Sequence, residues 1–270
     1  LKYRYLKLYD KMKIGITTIA TGKYSVYIPE LIESCETLFL CDHDRKYFIY
    51  TDCDIESLGP FKGSDKVIKI HQEKLGWPYD SMLRFHMFEV FKNILLDVDY
   101  IFFMNVNMKV VSMVDDSILP SGNECGIVAT IHPGYYKNKN YPYDSNSKSE
   151  FYVPEEKRNR YFQGCFNGGR SSNFLEMCEI LKSKMDIDLS NNIIPFWHDE
   201  SALNWYLANK DPLILEPLYA YPEYLGNDTD SISEIKEKDP HYYIIDELKS
   251  SPKIIQRNKD REGGKKLLRA

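Results

Sequence analysis

Residues 99–104, Asp-Tyr-Ile-Phe-Phe-Met, constrain the fold more than any other segment: five consecutive positions after the aspartate are aromatic or aliphatic. Such a run reads as a buried strand rather than an amphipathic one. The surrounding sequence agrees. Strand-like runs at residues 14–20, 47–51 and 67–70 alternate with helical apolar spacing at residues 28–38 and 82–96. This alternation predicts an α/β domain with a largely parallel sheet. The buried run ends in Asn105-Val106-Asn107. Ligands of open α/β sheets bind beyond the carboxyl ends of the strands, so Asn105 and Asn107 are expected at a nucleotide site. The same three residues also read as an ordinary Asn-rich turn.

With 270 residues, 43% of them hydrophobic, the chain can bury one sizeable core, and a single domain is expected. No stretch approaches the roughly 20 apolar residues that span a bilayer, and the start LKYRYLKLYDK lacks the apolar segment of a signal peptide. Six cysteines are scattered without zinc-ligand spacing, which points to reduced thiols in a cytoplasmic protein. The net charge is −5, yet residues 253–270 hold seven basic side chains against Asp260 and Glu262. An acidic body argues against general nucleic-acid binding, and a basic tail offers a local element for a small polyanion. A merely solvated tail fits the charge equally well.

Residues 136–160 lack periodicity and are expected to form a long surface loop of the kind that often serves as a lid. Gly164, Gly168 and Gly169 in YFQGCFNGGR permit close backbone approach, and residues 174–181 look helical. Trp197-His198-Asp199-Glu200 stands directly before the helical pattern SALNWYL, where Asp199 could cap the helix. An indole suits the apolar face of a sugar, carboxylates accept bonds from its hydroxyls, and a glutamate beside the anomeric carbon can stabilise oxocarbenium character. Taken alone, the tetrapeptide is also compatible with a helix start beside a core tryptophan.

The motifs GWPYDSMLRFHMF, DYIFFMNVNM, ATIHPGYY, YFQGCFNGG, WHDESALNWYL and KKLLR occur in the same order in the family of the blood-group A and B transferases and α-1,3-galactosyltransferase, which the chain resembles from about residue 12 to residue 269. Residues 1–11 fall outside that resemblance and are expected to be an extension, with one catalytic domain over residues 12–270. The resemblance implies a GT-A type fold: α/β, with a Rossmann-like nucleotide-binding half and a mixed central sheet. It also implies retaining α-1,3 transfer of galactose or N-acetylgalactosamine from a UDP-sugar to a galactose-terminated, fucosylated oligosaccharide or glycolipid-linked acceptor. Glu200 matches the position that acts as nucleophile or electrostatic stabiliser. Donor and nucleotide contacts are implied for Ile19, Thr21, Tyr24, Arg84, Asn105, Asn107, Gln163, Gly164, Cys165 and Asp199, with Arg84 expected to reach the Asn105 side chain. Acceptor contacts are implied for His132, Trp197, His198 and Glu223.

Two departures matter. Members with Asp-any-Asp after the buried strand hold manganese there, whereas neutral amides are poor ligands for a hard divalent cation. No metal cofactor is therefore expected, as in bacterial relatives that resemble this sequence. Arg257, Lys259 and Arg269 of the tail are the candidates to stabilise the departing UDP. In the family that the chain resembles, the motif before the double glycine distinguishes donors; here it is Gln163-Gly164-Cys165-Phe166, and the resemblance implies that Cys165, larger than glycine at the third position, crowds an acetamido group and favours galactose. The expected location is the bacterial cytoplasm, peripheral to the inner membrane. A non-catalytic UDP-sugar or glycan binding protein is the competing reading. A glycoside hydrolase is disfavoured, because adjacent Asp199 and Glu200 would not flank one sugar at the required separation.

Overall fold

The computed structural model describes residues 11–122, 124–136, 139–223 and 251–257, with the backbone alone at residues 261–262 and 265–266. Its principal strands are β1 (Lys13–Ile19), β2 (Asp44–Thr51), β3 (Val67–His71), β4 (Tyr100–Met104), β5 (Met108–Val110), β6 (Ile127–Ile131), β7 (Phe162–Arg170), β8 (Leu213–Leu215), β9 (Tyr221–Pro222) and β10 (Ile254–Gln256). Its helices are α1 (Ile28–Leu38), α2 (Tyr79–Met82), α3 (Arg84–Val90), α4 (Lys92–Leu95), α5 (Ser171–Ser190) and α6 (Asp199–Leu207).

Seven strands form one sheet in the order β3-β2-β1-β4-β7-β6-β8. The first four are mutually parallel, β7 runs against both β4 and β6, and β8 is parallel to β6. The sheet is thus largely parallel with one reversed strand. All five residues of β4 are buried, because its side chains supply two cores. Tyr100, Phe102 and Met104 join Ile14, Ile16 and the α1 residues Leu31 and Ile32 on one face. On the other, Ile101 and Phe103 meet Phe85 and Phe88 of α3 and Phe174 and Leu181 of α5. Each such buried side chain stabilises the fold by roughly 1.5–3 kcal/mol.

β7 can be sandwiched this closely because of its glycines. A Cβ on Gly168 would stand 2.4 Å from the Ile101 carbonyl oxygen, and one on Gly169 2.2 Å from that of Gly126. A smaller sheet, β5-β10-β9, seats the start of the basic tail beside the exit of β4. No helix among the described residues is long and apolar enough to cross a membrane.

Two expectations are corrected. The helix predicted over residues 82–96 is broken into α2, α3 and α4 at Leu83 and Phe91. Its apolar positions exceed one helical stripe, and the breaks bury Met82, Phe85, Phe88 and Leu95 while Val90 and Leu96 stay exposed. The segment 136–160 is not a simple surface loop, since Tyr143, Phe151 and Val153 are buried. Irregular buried backbone needs partners for its polar groups. Asp188 of α5 supplies them, accepting from the Ser149 hydroxyl at 2.6 Å and the Glu150 N–H at 2.7 Å. Residues 234–249, charged in sequence, lie outside the described residues.

Candidate active site

The chain crosses from β1 to β2 on one side while β4 lies on the other, so the carboxyl ends of β1 and β4 open on a topological switch point. Asn105 leaves β4 there and donates its N–H to the Cys165 carbonyl at 2.9 Å, holding the first residues of β7 along the crevice. The His132 N–H donates to the Tyr161 carbonyl at 2.9 Å, which ties the exit of β6 to the same segment. Asn204 docks α6 on β7, accepting the Phe162 N–H at 2.8 Å and donating to the Phe162 carbonyl at 2.7 Å. Three separate elements therefore converge on a cavity of about 260 Å³.

Eight of the residues singled out in sequence line it: Asn105, His132, Gln163, Gly164, Cys165, Trp197, Asp199 and Glu200. The Gly164 peptide is its pivot. The N–H donates to Glu200 Oε2 at 2.7 Å, and the carbonyl accepts from Arg84 Nη1 at 2.7 Å. Arg84 Nη1 also lies 2.8 Å from Asp199 Oδ2. A Cβ on Gly164 would come within 3.0 Å of that carboxylate, so glycine lets the backbone sit between the two acids. One arginine and one peptide thus orient both carboxylates.

Arg84 does not reach the Asn105 side chain as expected. It is 2% exposed and packs over the rings of Phe103 and Phe85, on the sheet face opposite the tail. Nor does Asp199 cap α6. It is the first helical residue, preceded by His198 at φ 54°, ψ −119°, and the Trp197 N–H donates instead to the Ser201 hydroxyl at 2.9 Å. Positive φ at a non-glycine residue is strained, and strain of this sort concentrates at functional sites. Here it frees Asp199 for Arg84. Burial lowers the His198 pKa, with Asp199 opposing, and its ring packs edge-on against Trp77.

Burial pushes the Glu200 carboxyl from its ordinary 4.5 up to about 7, aided by the charge of Asp199 and opposed by the Gly164 N–H, the neighbouring Tyr161 phenol and Arg84. A role as nucleophile or charge stabiliser needs the carboxylate. We therefore expect kcat/KM for transfer to rise through about pH 7 and to fall about tenfold per unit below it. A profile flat from pH 5 to 8 would remove Glu200 from that role.

Gln163 and Cys165 are both 5% exposed. The Cys165 thiol donates to Gln163 Oε1 at 2.9 Å, while Gln163 Nε2 has no partner. Other predicted residues stand outside the cavity lining. Ile19, Thr21 and Tyr24 lie where β1 leaves the sheet. Glu223 accepts from Arg257 Nε at 2.9 Å, and Arg257 Nη1 pairs with Glu30. Its backbone continues the tail's pairing: the Arg257 N–H donates to the Asn107 carbonyl at 2.8 Å, and Asn107 Nδ2 returns a bond to the Arg257 carbonyl at 2.6 Å. Arg257 is therefore neutralised by two carboxylates at the root of the tail, an anchor rather than an available cation. Lys259 and Arg269 lie outside the described residues. Sequence reasoning missed Ser81 and Gln256, which also line the cavity. Ser81 stood three residues before Arg84, whereas Gln256 is placed only by the register of β10 on β5.

A mixed α/β sheet with a polar, carboxylate-bearing cavity at its switch point has the architecture of a GT-A type glycosyltransferase. Sequence comparison narrows the class. Residues 2–239 match glycosyltransferase family 6, and the chain belongs to that family. It is similar to the O-antigen biosynthesis glycosyltransferase WbnI of Escherichia coli, 34% identical over 236 residues that cover 86% of this chain and 98% of WbnI. It is 30% identical to the histo-blood group ABO system transferase 1 of Rattus norvegicus over 219 residues, 78% of this chain and 62% of the rat protein. Similarity to the globoside alpha-1,3-N-acetylgalactosaminyltransferase 1 of Gallus gallus is 28% over 245 residues, 87% of this chain and 66% of the chicken protein. The chain thus spans under two thirds of the length of both animal relatives.

Proposed function

We propose that the chain is a retaining α-1,3-glycosyltransferase that moves galactose from UDP-galactose to a galactose-terminated, fucosylated glycan without a metal ion. The observation that carries this reading is the placement of Glu200 and Asp199 on the two sides of the Gly164 peptide, facing a cavity edged by Trp197 and His132. Asp199 and Gln163 would hold donor hydroxyls, Trp197 and His132 the acceptor galactose. Glu200 would stabilise the oxocarbenium-like transition state or trap it covalently, and either route retains configuration. Uracil and ribose would lie against Ile19, Thr21 and Tyr24. The α-1,3 linkage and the blood-group context in the names of the relatives support this substrate class.

The donor set does not fit manganese. Asn105 and Asn107 contribute no charge, Asn107 Nδ2 is committed to the Arg257 carbonyl, and Asp199 is committed to Arg84. With Arg257 engaged by Glu30 and Glu223, the charge that leaves with UDP falls to Lys259 and Arg269. The reading is tested by incubating EDTA-treated protein with UDP-galactose or UDP-N-acetylgalactosamine and a 2'-fucosylated galactoside, following UDP release and product mass. Transfer only after manganese is added would overturn metal independence. No transfer under any condition would leave a non-catalytic UDP-sugar or glycan binding protein. The six cysteines, none of them in a disulfide, fit the reducing bacterial cytoplasm proposed for it.

Cys165 sets the donor preference in this reading, because its side chain occupies cavity wall that glycine would leave open. Cys165→Gly is expected to shift the ratio of kcat/KM values about tenfold towards UDP-N-acetylgalactosamine in a two-donor competition. The second reading, N-acetylgalactosamine as native donor, is favoured by the free Gln163 Nε2, an available partner for an acetamido carbonyl. A wild-type preference for that donor would decide for it.

A further inference from the structure

The rim of the cavity carries large rings that the fold leaves in solvent. Trp77 is 78% exposed, Phe196 62% and Trp197 44%. Phe196 and Trp197 touch edge to face with centroids 5.0 Å apart, and Trp77 packs on His198, the next residue along, at 5.2 Å. The two ring pairs are joined through the consecutive residues Trp197 and His198, and Trp197 belongs to the cavity wall, so together they form an aromatic ridge beside it.

The ridge is held in place from below. The Phe196 N–H donates to Asp144 Oδ2 at 2.9 Å, and Asp144 is itself 4% exposed. The Trp197 N–H is taken by the Ser201 hydroxyl. On the other side, the Asp80 carboxylate accepts the N–H groups of Leu75 and Gly76 at 2.8 and 3.0 Å, fixing the turn that presents Trp77. Backbone tied in this way fixes where the rings leave the chain and keeps them out of the core. An ordered, exposed aromatic surface continuous with a cavity marks a binding surface rather than a packing remnant.

We propose that this ridge binds the second and third sugars of the acceptor glycan, with Phe196 and Trp77 offering their faces to pyranose rings beyond the terminal galactose. The proposal rests on the cavity being the transfer site. The chemistry favours a glycan over the other occupant of an exposed apolar rim, a membrane. A membrane-seated surface would combine its rings with lysines and arginines, whereas this ridge adjoins a cavity lined by Asp199 and Glu200 and is tied to the chain by the Asp144 and Asp80 carboxylates. Flat rings suit sugar C–H faces, and the cavity that the ridge leads into is lined by groups that bond hydroxyls.

The test compares two acceptors ending in the same 2-O-fucosylated galactose, its methyl β-galactoside and a tetrasaccharide with two further sugars beyond that galactose, on the full chain and on Phe196→Ala, Trp77→Ala and the double variant. Each single change is expected to lower kcat/KM about fivefold on the tetrasaccharide, through KM, and the double variant about 20-fold. Methyl galactoside should stay within about twofold. Equal loss on both acceptors, or loss on neither, would overturn the proposal. So would variants that keep tetrasaccharide kinetics but no longer bind phosphatidylglycerol vesicles. Trp77 and Trp197 are two of only three tryptophans, so direct binding can be read from quenching of tryptophan emission. If no galactoside is transferred at all, the transfer reading fails, and the titration still decides the ridge. Tighter binding of the tetrasaccharide than of methyl galactoside, lost in Phe196→Ala, supports it. Equal binding of the two refutes it.

Discussion

Glu200→Gln is expected to lower transfer on the order of 10²–10³-fold while making the protein more stable at pH 8. The two effects share one cause. Burial raises the carboxyl pKa of Glu200 to about 7 from 4.5, so between those values the folded chain holds a proton more tightly than the unfolded chain does. Stability is fully supported below about pH 4.5 and declines as pH rises through about 7, where folding must keep a desolvated charge. Glutamine retains an oxygen for the Gly164 N–H and never ionises. Its Tm gain should therefore appear at pH 8 and vanish at pH 5, with roughly 2–4 °C for each kcal/mol relieved. Thermal melts at the two pH values, beside UDP release, check both halves. Near-normal turnover would remove Glu200 from the chemistry. An equal Tm gain at both pH values would show that the relief does not come from ionisation.

This trade between stability and charge explains why Trp197-His198-Asp199-Glu200 was visible in the sequence while its geometry was not. The tetrapeptide places two acids at a helix start, a pattern that suits sugar chemistry but also fits a plain helix start until the family motifs around it are added. What orients both acids is the Gly164 peptide, 36 residues before Glu200, with Arg84 a further 80 back. Only the reversed strand β7 brings them together. Sequence periodicity identifies strands from their side chains, but it carries neither the place of β7 beside β4 nor its antiparallel direction.

β4 was the most legible element, since five buried positions leave no alternative to a central strand. The segment 82–96 was less so. Its apolar positions wrap around more than one stripe, and the chain resolves this by breaking the helix, which turns Arg84 beneath β7. The tail illustrates a different limit. Basic composition marks residues 253–270 as a partner for a polyanion, yet Arg257 meets Glu30 and Glu223 first. Which cation is spent on the fold and which remains for a ligand depends on strand register, here Gln256 opposite Met108. Charge counts carry no register.

Arg84→Met should be the most damaging single change to the fold of the site. The guanidinium is buried over two phenylalanine rings and pairs with Asp199 at 2.8 Å. Methionine fills much of the same volume, so the chief consequence is a largely buried Asp199 carboxylate at the cavity wall without its counter-charge, at a cost of about 3 kcal/mol. Urea unfolding at pH 7 would read this as a lower midpoint. Transfer should fall by about 10²-fold as well, because the Gly164 carbonyl loses its donor and Asp199 its orientation. The double variant Arg84→Met, Asp199→Asn separates the two losses. Removing the stranded charge should restore much of the stability and none of the transfer, since the neutral amide still lacks its anchor. A double variant as unstable as Arg84→Met would assign the loss to packing around Phe85 and Phe103. The ion pair would then orient Asp199 without protecting the fold from its charge.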